Sequence, residues 1–233
     1  MPHISLKKES KLFVVCACIF VAIVITAEII GVKIFSLENA LGMDKLNLKI
    51  LRIYPINLEF TSGVIIWPLV FILTDIMNEY FGFKGVQFIS ILTAILASML
   101  FIAISISIWL PPADWWSNQS AFETTLAQSN WIIVGSLCAF LLSQFLDAFA
   151  FKKLKELLNN SNLWLRATLS TLVSQIFDSF LVLYVAFYIG GDWDLNRVLA
   201  IALVNYTFKS LAALILSPLL YVARKAIDSY LKD

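Results

Sequence analysis

The segment 163–189, LWLRATLSTLVSQIFDSFLVLYVAFYI, is apolar enough to cross a membrane, yet it carries the polar pattern SQxxD at 174–178. The same pattern occurs at 143–147, inside a second apolar stretch. A carboxylate or an amide in hydrocarbon is costly unless it finds a partner, so such residues usually face an interior cavity. Two copies with the same spacing therefore predict a polar cavity between helices, which is typical of transporters.

The composition is that of an integral membrane protein. Of the 233 residues, 60% are hydrophobic and 14% are charged, and the mean hydropathy is +0.85. Soluble domains carry about 25% charged residues. The net charge of +1 gives no electrostatic case for a nucleic-acid partner. The only histidine, His3, lies at the N-terminus, and the three cysteines lie in apolar stretches, so neither a metal site nor a cofactor is expected.

Six segments are long enough to span the bilayer, because a helix needs about 20 apolar residues to cross about 30 Å of hydrocarbon. We predict one all-α membrane domain over 1–233, with helices at 12–35, 62–80, 85–109, 130–151, 163–189 and 196–222. Eleven Lys and Arg residues, Arg166 among them, fall on the side of the N-terminus, and five fall on the other side. This bias predicts that both termini are cytoplasmic.

The outer loop 36–61 alternates apolar and polar residues in the period of a β-strand. Its two halves are separated by Tyr54-Pro55, which could form a turn. The pattern predicts a short outer β-hairpin, which would act as a lid over an outward-facing site. The alternative is an ordered loop with chance alternation.

Three polar residues share one helix face near the end of the second predicted helix. Asp75, Asn78 and Glu79 stand at i, i+3 and i+4, toward the cytoplasmic side. Glu79 taken alone would also suit the membrane interface, with Gly82 as a helix C-cap. Asp75 lies more than one turn deeper, so we expect it to face the interior.

Further polar residues are predicted to lie inside the other helices: Thr26, Glu28, Ser143, Gln144, Asp147, Gln175, Asp178, Asn205 and Lys209. Lys209 cannot stay charged and unpaired near mid-depth, and Asp178 at comparable depth is its natural partner. Asp75 and Asp147 have no basic partner within the predicted helices, so we expect these two carboxyl groups to exchange protons near neutral pH.

A cavity lined by these groups would bind a planar, polar small molecule. Carboxylates accept hydrogen bonds, amides both donate and accept, a lysine donates, and aromatic rings stack. A guanine-like edge has the complementary pattern, and so do several vitamins. The aromatic candidates are Trp67, Tyr80, Tyr184, Tyr188 and Tyr206. The alternative is a static hydrogen-bonded network that fixes helix packing.

A known family shares these motifs. Pro68 and the run 74–82, TDIMNEYFG, resemble the family signature P-x(5)-TD-xx-NE-xx-G, and the two SQxxD elements and Lys209 … Ser217-Pro218 also match. The chain resembles the queuosine precursor transporters (VUT, or YhhQ-type) over residues 12–222. One departure is Ser179, which stands where threonine is expected.

The resemblance implies uptake of 7-deazaguanine bases, which are used to make the queuosine of transfer RNA, across the bacterial inner membrane. It also implies a six-helix fold similar to the substrate-binding subunits of energy-coupling-factor vitamin transporters. The expected partners are the base and the membrane lipids. Whether the protein forms a homo-oligomer is left open.

Under this hypothesis Asp178 binds the guanine edge, with Gln175, Gln144 and Asn205 as amide partners. Lys209 neutralises Asp178 while the site is empty. We assign Asp75 both to the substrate-binding residues and to a second group, the inner polar cluster, toward the cytoplasmic side. The remaining members of that cluster, which gate the path or carry protons, are Asp147, Glu79 and Asn78.

Two other functions stay open. A substrate-binding subunit driven by a separate ATPase would share the fold, and the chain itself has no GxxxxGK[ST] motif. An intramembrane enzyme could use Asp147 and Asp178 as a proton-sharing pair. Because neither aspartate lies in a Gly-flanked turn and no Ser/His pair exists, we do not expect an enzyme.

Overall fold

The helices account for most of the chain in a computed structural model, which describes residues 7–46, 48–50, 54–158 and 162–232. They are α1 (Lys8–Ile30), α2 (Leu37–Ala40), α3 (Trp67–Trp109), α4 (Gln119–Leu126), α5 (Asn130–Leu157), α6 (Leu163–Leu183), α7 (Leu195–Leu216) and α8 (Pro218–Lys232). A 3₁₀ turn covers Ser62–Ile65, and a π-helical turn, Tyr184–Ile189, extends α6. The strands are β1 (Ile34–Ser36), β2 (Leu48–Ile50), β3 (Tyr54–Ile56) and β4 (Glu59–Thr61).

Within the described residues, five helical segments are long and apolar enough to cross a membrane, against the six predicted. They are Lys8–Ile30, Trp67–Trp109, Gln119–Leu157, Leu163–Ile189 and Leu195–Leu216. The difference lies in α3, whose 43 residues include 67–80 of the predicted helix 62–80 and all of the predicted helix 85–109; residues 62–65 form the 3₁₀ turn instead. The chain is a multi-pass membrane protein of the all-α class.

The two parts of α3 are separated by a break at Gly82. This residue has φ 70° and ψ −180°, which is not helical. Such a conformation is open almost only to glycine, because a Cβ atom would clash with the backbone. The predicted helix end at Gly82 is therefore present as a local break.

Several predicted helix ends were wrong. The first helix ends at Ile30 instead of residue 35, because residues 34–36 form strand β1. The last predicted helix, 196–222, is divided in two at Ser217. Pro218 opens α8, which suits a proline because the first turn of a helix leaves its N–H groups unbonded. The α5 helix continues to Leu157, six residues beyond the predicted end.

Among the described residues of 34–61, which include the loop predicted to lie outside, there are two small antiparallel pairs. Strands β2 and β3 pair with Ile50 opposite Tyr54, so the predicted hairpin is present. Its turn was misplaced: Tyr54 and Pro55 belong to strand β3, and residues 51–53 lie outside the described part of the chain. Strand β4 pairs with β1, so that the loop is joined to the end of α1.

The interior of the helical bundle contains many polar residues, and many large apolar side chains lie on its surface. Thr74, Ser174 and Gln175 are fully buried, whereas apolar side chains such as Phe88 and Ile215 are exposed. An apolar surface of this kind is suited to lipid tails. Helices α5 and α6 approach closely at Gly135, where an added methyl group would lie 3.1 Å from the Val182 carbonyl oxygen.

Candidate functional site

The buried ion pair between Lys209 and Asp178 lies at the centre of the candidate site. Lys209 on α7 donates to Asp178 on α6, with Nζ 2.6 Å from Oδ2. The two side chains are 9% and 8% exposed. The predicted pairing of these residues is confirmed. Ser143 on α5 lies 3.5 Å from the other carboxylate oxygen of Asp178, so three helices contribute to the pair.

Two glutamine amides are buried in the same interior. Gln144 on α5 is contacted by Thr74 on α3, whose hydroxyl lies 2.8 Å from Gln144 Oε1. The Nε2 atom of Gln144 and both amide atoms of Gln175 have no hydrogen-bond partner within the described residues. Because unpartnered buried polar atoms are costly, these amides suit a site that a polar ligand completes.

Asn205 was predicted to act with these amides, and it lies one turn from Lys209 on α7. Its Nδ2 donates to the Ile201 carbonyl oxygen of the same helix at 3.1 Å. In this conformation the donor is engaged with the backbone. Its predicted substrate contact would need a change of side-chain rotamer.

Asp75 and Asp147 are both buried, at 4% and 1% exposure. Ser174 donates to Asp147 Oδ1 at 3.2 Å, whereas Asp147 Oδ2 and Asp75 Oδ1 have no hydrogen-bond partner in the described part of the chain. Asp75 also lines a cavity between α3, α6 and α7 that Thr168, Thr171 and Ser210 share. Asp178, by contrast, is held by Lys209 and Ser143. Asp147 and Asp178, the two aspartates of the enzyme alternative, therefore have different partners.

The predicted inner cluster contains an ion network that the sequence did not reveal. Glu79 accepts from Lys155 of α5 at 2.7 Å and from both terminal nitrogens of Arg166 of α6 at 3.2 and 3.3 Å. Arg224 of α8 lies 3.9 Å from the same carboxylate. One carboxylate thus connects α3 to three other helices. We call Glu79, Lys155, Arg166 and Arg224 the inner ion cluster.

Arg166 falls within the predicted helix 163–189 but was counted with the cations outside the helices, and that assignment was wrong. It lies in the first turn of α6, and its side chain is 0% exposed. Its guanidinium group also covers the Phe151 ring at 5.1 Å and interacts electrostatically with Asp75. The expectation that Asp75 lacks a basic neighbour is therefore also wrong. The sequence signal was available, because Arg166 precedes Ser170, Ser174 and Asp178 at a regular four-residue spacing on one helix face.

Two other predicted residues contact neighbouring helices. Asn78 donates from Nδ2 to the Ala148 carbonyl oxygen of α5 at 3.0 Å. Tyr80 donates to Asp228 of α8 at 2.5 Å, and Asp228 lies 3.8 Å from Arg224, so Tyr80 lies with the inner ion cluster and not at the ion pair. Both contacts fix helix packing at the side where α3 breaks.

Among the aromatic candidates, Trp67 lies beside the ion pair. Its ring centroid is 6.0 Å from Lys209 Nζ. Tyr184 and Tyr188 stack on each other and are 39% and 43% exposed, which places them at the surface. Trp67 is therefore the candidate ring for which the structure shows a contact with the ion pair.

Glu28 of α1 is a further buried acid near the pair. Ser136 donates to it at 3.2 Å, and its carboxyl group interacts electrostatically with Asp178 and Lys209. The polar residues thus extend from α1 through the ion pair to the inner ion cluster.

The polar groups at the ion pair are shielded from solvent in this conformation. Asp178 is 5% exposed, Gln144 is 1% exposed and Gln175 is 0% exposed. The arrangement is therefore that of a closed state.

Comparison with known proteins places the chain in a family. Residues 61–223 match the family described as "Putative vitamin uptake transporter". A "Probable queuosine precursor transporter" of Bacillus subtilis (strain 168) is 30% identical over 182 residues, which cover 74% of this chain and 75% of that protein. The "Queuosine precursor transporter" of Escherichia coli (strain K12) is 28% identical over 156 residues, covering 66% and 68% of the two chains.

No solved structure matches the chain significantly. The family match covers both SQxxD elements, the run 74–82 and Lys209, which contribute buried polar residues such as Asp75, Gln144 and Asp178. The chain therefore belongs to the vitamin uptake transporter family that includes the queuosine precursor transporters.

Proposed function

We propose that this protein imports queuosine precursors, the 7-deazaguanine bases, across the bacterial inner membrane. The observation that carries the proposal is the buried Lys209–Asp178 pair with unpartnered amides in the same interior. Such groups are complementary to a planar base with N–H donors beside a carbonyl. The names of the relatives supply the identity of the base.

The topology in this proposal has six crossings and two cytoplasmic termini. The two parts of α3 on either side of Gly82 count as separate crossings, so that the inner ion cluster faces the cytoplasm. The bias of Lys and Arg toward that side supports this orientation. The same six-helix arrangement would be shared with the energy-coupling-factor substrate-binding subunits.

Substrate binding in this proposal exchanges one partner of Asp178 for another. In the closed state Lys209 neutralises the carboxylate at 2.6 Å. An arriving base offers two N–H groups to the same carboxylate, while Trp67 stacks on the ring. Gln144, Gln175 and Asn205 complete the edge, and Lys209 is released toward the carbonyl.

The inner ion cluster forms the cytoplasmic gate. Glu79 holds α5, α6 and α8 against α3, so a path to the cytoplasm opens only when its contacts with the three cations separate. Asn78 supports the same closure through its bond to Ala148. Asp75 and Asp147 lie between the gate and the ion pair as additional ligand or proton sites.

Uptake by purified protein in liposomes tests the proposal. Labelled 7-deazaguanine base should accumulate in liposomes that contain this chain alone. Asp178→Ala should abolish uptake, and Asp114→Ala, which removes an exposed acid of an outer loop, should transport like wild type. Insertion of each variant is checked by its yield in the membrane fraction.

Three results would contradict the proposal in different ways. Wild-type uptake by Asp178→Ala would remove this residue from the site. Strict dependence on an added ATPase would assign the chain to the substrate-binding subunits. Cleavage or modification of lipid or peptide by the purified protein would support the enzyme alternative.

A further inference from the structure

The contact between Thr74 and Gln144 determines which way the glutamine amide faces. Thr74 is 0% exposed and Gln144 is 1% exposed, so solvent water does not compete for either group. The Thr74 hydroxyl has two acceptors at 2.8 Å, Gln144 Oε1 and the Val70 carbonyl oxygen of its own helix. A hydroxyl carries one proton and can satisfy only one of them.

Gln144 Oε1 depends on the Thr74 hydroxyl proton more than the Val70 carbonyl oxygen does. In a helix the Val70 carbonyl already accepts the backbone N–H of the residue four positions later, which is Thr74. Gln144 Oε1 has Thr74 as its hydrogen-bond donor. Donation to Gln144 therefore satisfies both acceptors, and it fixes the amide with its oxygen toward α3.

With its oxygen held by Thr74, Gln144 presents its N–H₂ group on the other side. This nitrogen has no hydrogen-bond partner within the described residues. The preceding residue of α5, Ser143, lies 3.5 Å from Asp178 Oδ1, so this part of α5 reaches the ion pair. A buried donor that is fixed in this way is complementary to a base edge that carries a carbonyl.

We propose that Thr74 is a positioning residue that makes the site selective for a base with a ring carbonyl at position 6. This inference rests on the proposed function. A base with an amino group in that position would bring N–H₂ against N–H₂ and leave both unpaired. We expect this mismatch to weaken binding by about 10- to 100-fold, the effect of leaving one buried polar group unsatisfied.

Binding of two matched bases to the purified full-length protein tests the inference. The pair is 7-cyano-7-deazaguanine and its 6-amino analogue, which also lacks the N1–H, so the readout is the change in preference between wild type and variant, with Kd measured by calorimetry. Wild type should prefer the carbonyl base. Thr74→Val removes the hydroxyl at similar volume and frees the amide to rotate, so the preference should fall by about tenfold or more. Thr74→Ser keeps the hydroxyl and should keep the preference.

A matched control lies on the same helix. Thr93 is also 0% exposed, and its hydroxyl donates to the Ile89 carbonyl oxygen of α3. Thr93→Val should therefore leave the preference unchanged. If it lowers the preference as much as Thr74→Val does, the effect comes from general packing and the inference is overturned.

A second variant addresses the amide itself. Gln144→Glu replaces the amide donor by an acceptor, so the preference should shift toward the amino base. An unshifted preference would contradict the inference, and this test holds even if Thr74→Val does not fold. If wild type binds the carbonyl base and Thr74→Val keeps the full preference, only the role of Thr74 fails. If wild type binds neither base, the proposed function fails together with the inference.

Discussion

Removal of the Glu79 carboxylate should destabilise the protein more than removal of any exposed acid. Arg166 is 0% exposed and depends on Glu79 for its two charged hydrogen bonds. When one partner of a buried ion pair is deleted, the remaining uncompensated charge costs about 3–5 kcal/mol. We expect Glu79→Ala to lower the free energy of unfolding by about this amount. For a chain of this size, that corresponds to a fall in Tm of about 6–20 °C.

An exposed ion pair on the neighbouring helix provides the control. Glu156 pairs with Lys153 at 3.2 Å, and the two side chains are 51% and 55% exposed. Exposed pairs contribute less than about 1 kcal/mol, so Glu156→Ala should shift Tm by less than about 4 °C. Both variants remove one glutamate from the same end of the bundle.

Thermal unfolding of purified protein in detergent, followed by circular dichroism, measures the difference. A second variant, Glu79→Gln, keeps the size of the side chain and should lose most of the same stability. Equal shifts for Glu79→Ala and Glu156→Ala would refute the reasoning, because they would show that Arg166 does not depend on this carboxylate.

Three further predictions concern other parts of the chain. Gly82→Ala should destabilise the protein by about 1–3 kcal/mol in the same unfolding assay, because φ 70° with ψ −180° is strained for any residue with a Cβ atom; an unchanged Tm would show that the break does not need glycine. The Leu58 N–H, which donates to Glu38 at 2.8 Å, holds the pKa of Glu38 below its ordinary value of 4.5. The ionised carboxylate therefore stabilises the outer loop above the unfolded pKa, and this contribution is lost as the pH falls through the lower folded pKa. Glu38→Gln should lower Tm near neutral pH and reduce its acid dependence, whereas a wild-type pH profile would contradict this role. Asp147→Asn should flatten the pH dependence of uptake in liposomes while substrate binding is kept, and an unchanged profile at wild-type rates would make Asp147 structural.

Hydrophobic length and the cost of buried charge were enough to predict much of this architecture. The all-α class and the pairing of Lys209 with Asp178 both follow from these two considerations, because a lysine near the middle of an apolar helix needs an acid at similar depth. The break near Gly82 was also recognisable, since glycine follows the last apolar turn of the second predicted helix.

The errors arose where tertiary contacts override local pattern. Arg166 stands near a predicted helix end and was counted with the cations outside the helices, but Glu79 on a different helix provides the charge that lets it be buried. Tyr54 and Pro55 have the composition of a turn, yet pairing with β2 makes them strand residues. The orientation of the Gln144 amide depends on Thr74, 70 residues earlier, and no spacing in the sequence indicates that contact.

The order of the charged residues along the chain has a consequence for biogenesis. Glu79 precedes Lys155, Arg166 and Arg224, and Asp178 precedes Lys209. During synthesis from the N-terminus, each of these acids is therefore made before the cation that it binds. A waiting carboxyl group can take up a proton and become neutral, whereas an arginine cannot lose its charge under these conditions. When the helix with Arg166 leaves the ribosome, its counter-ion has already been made, so this order spares the nascent chain a stage with an unpaired guanidinium group in lipid.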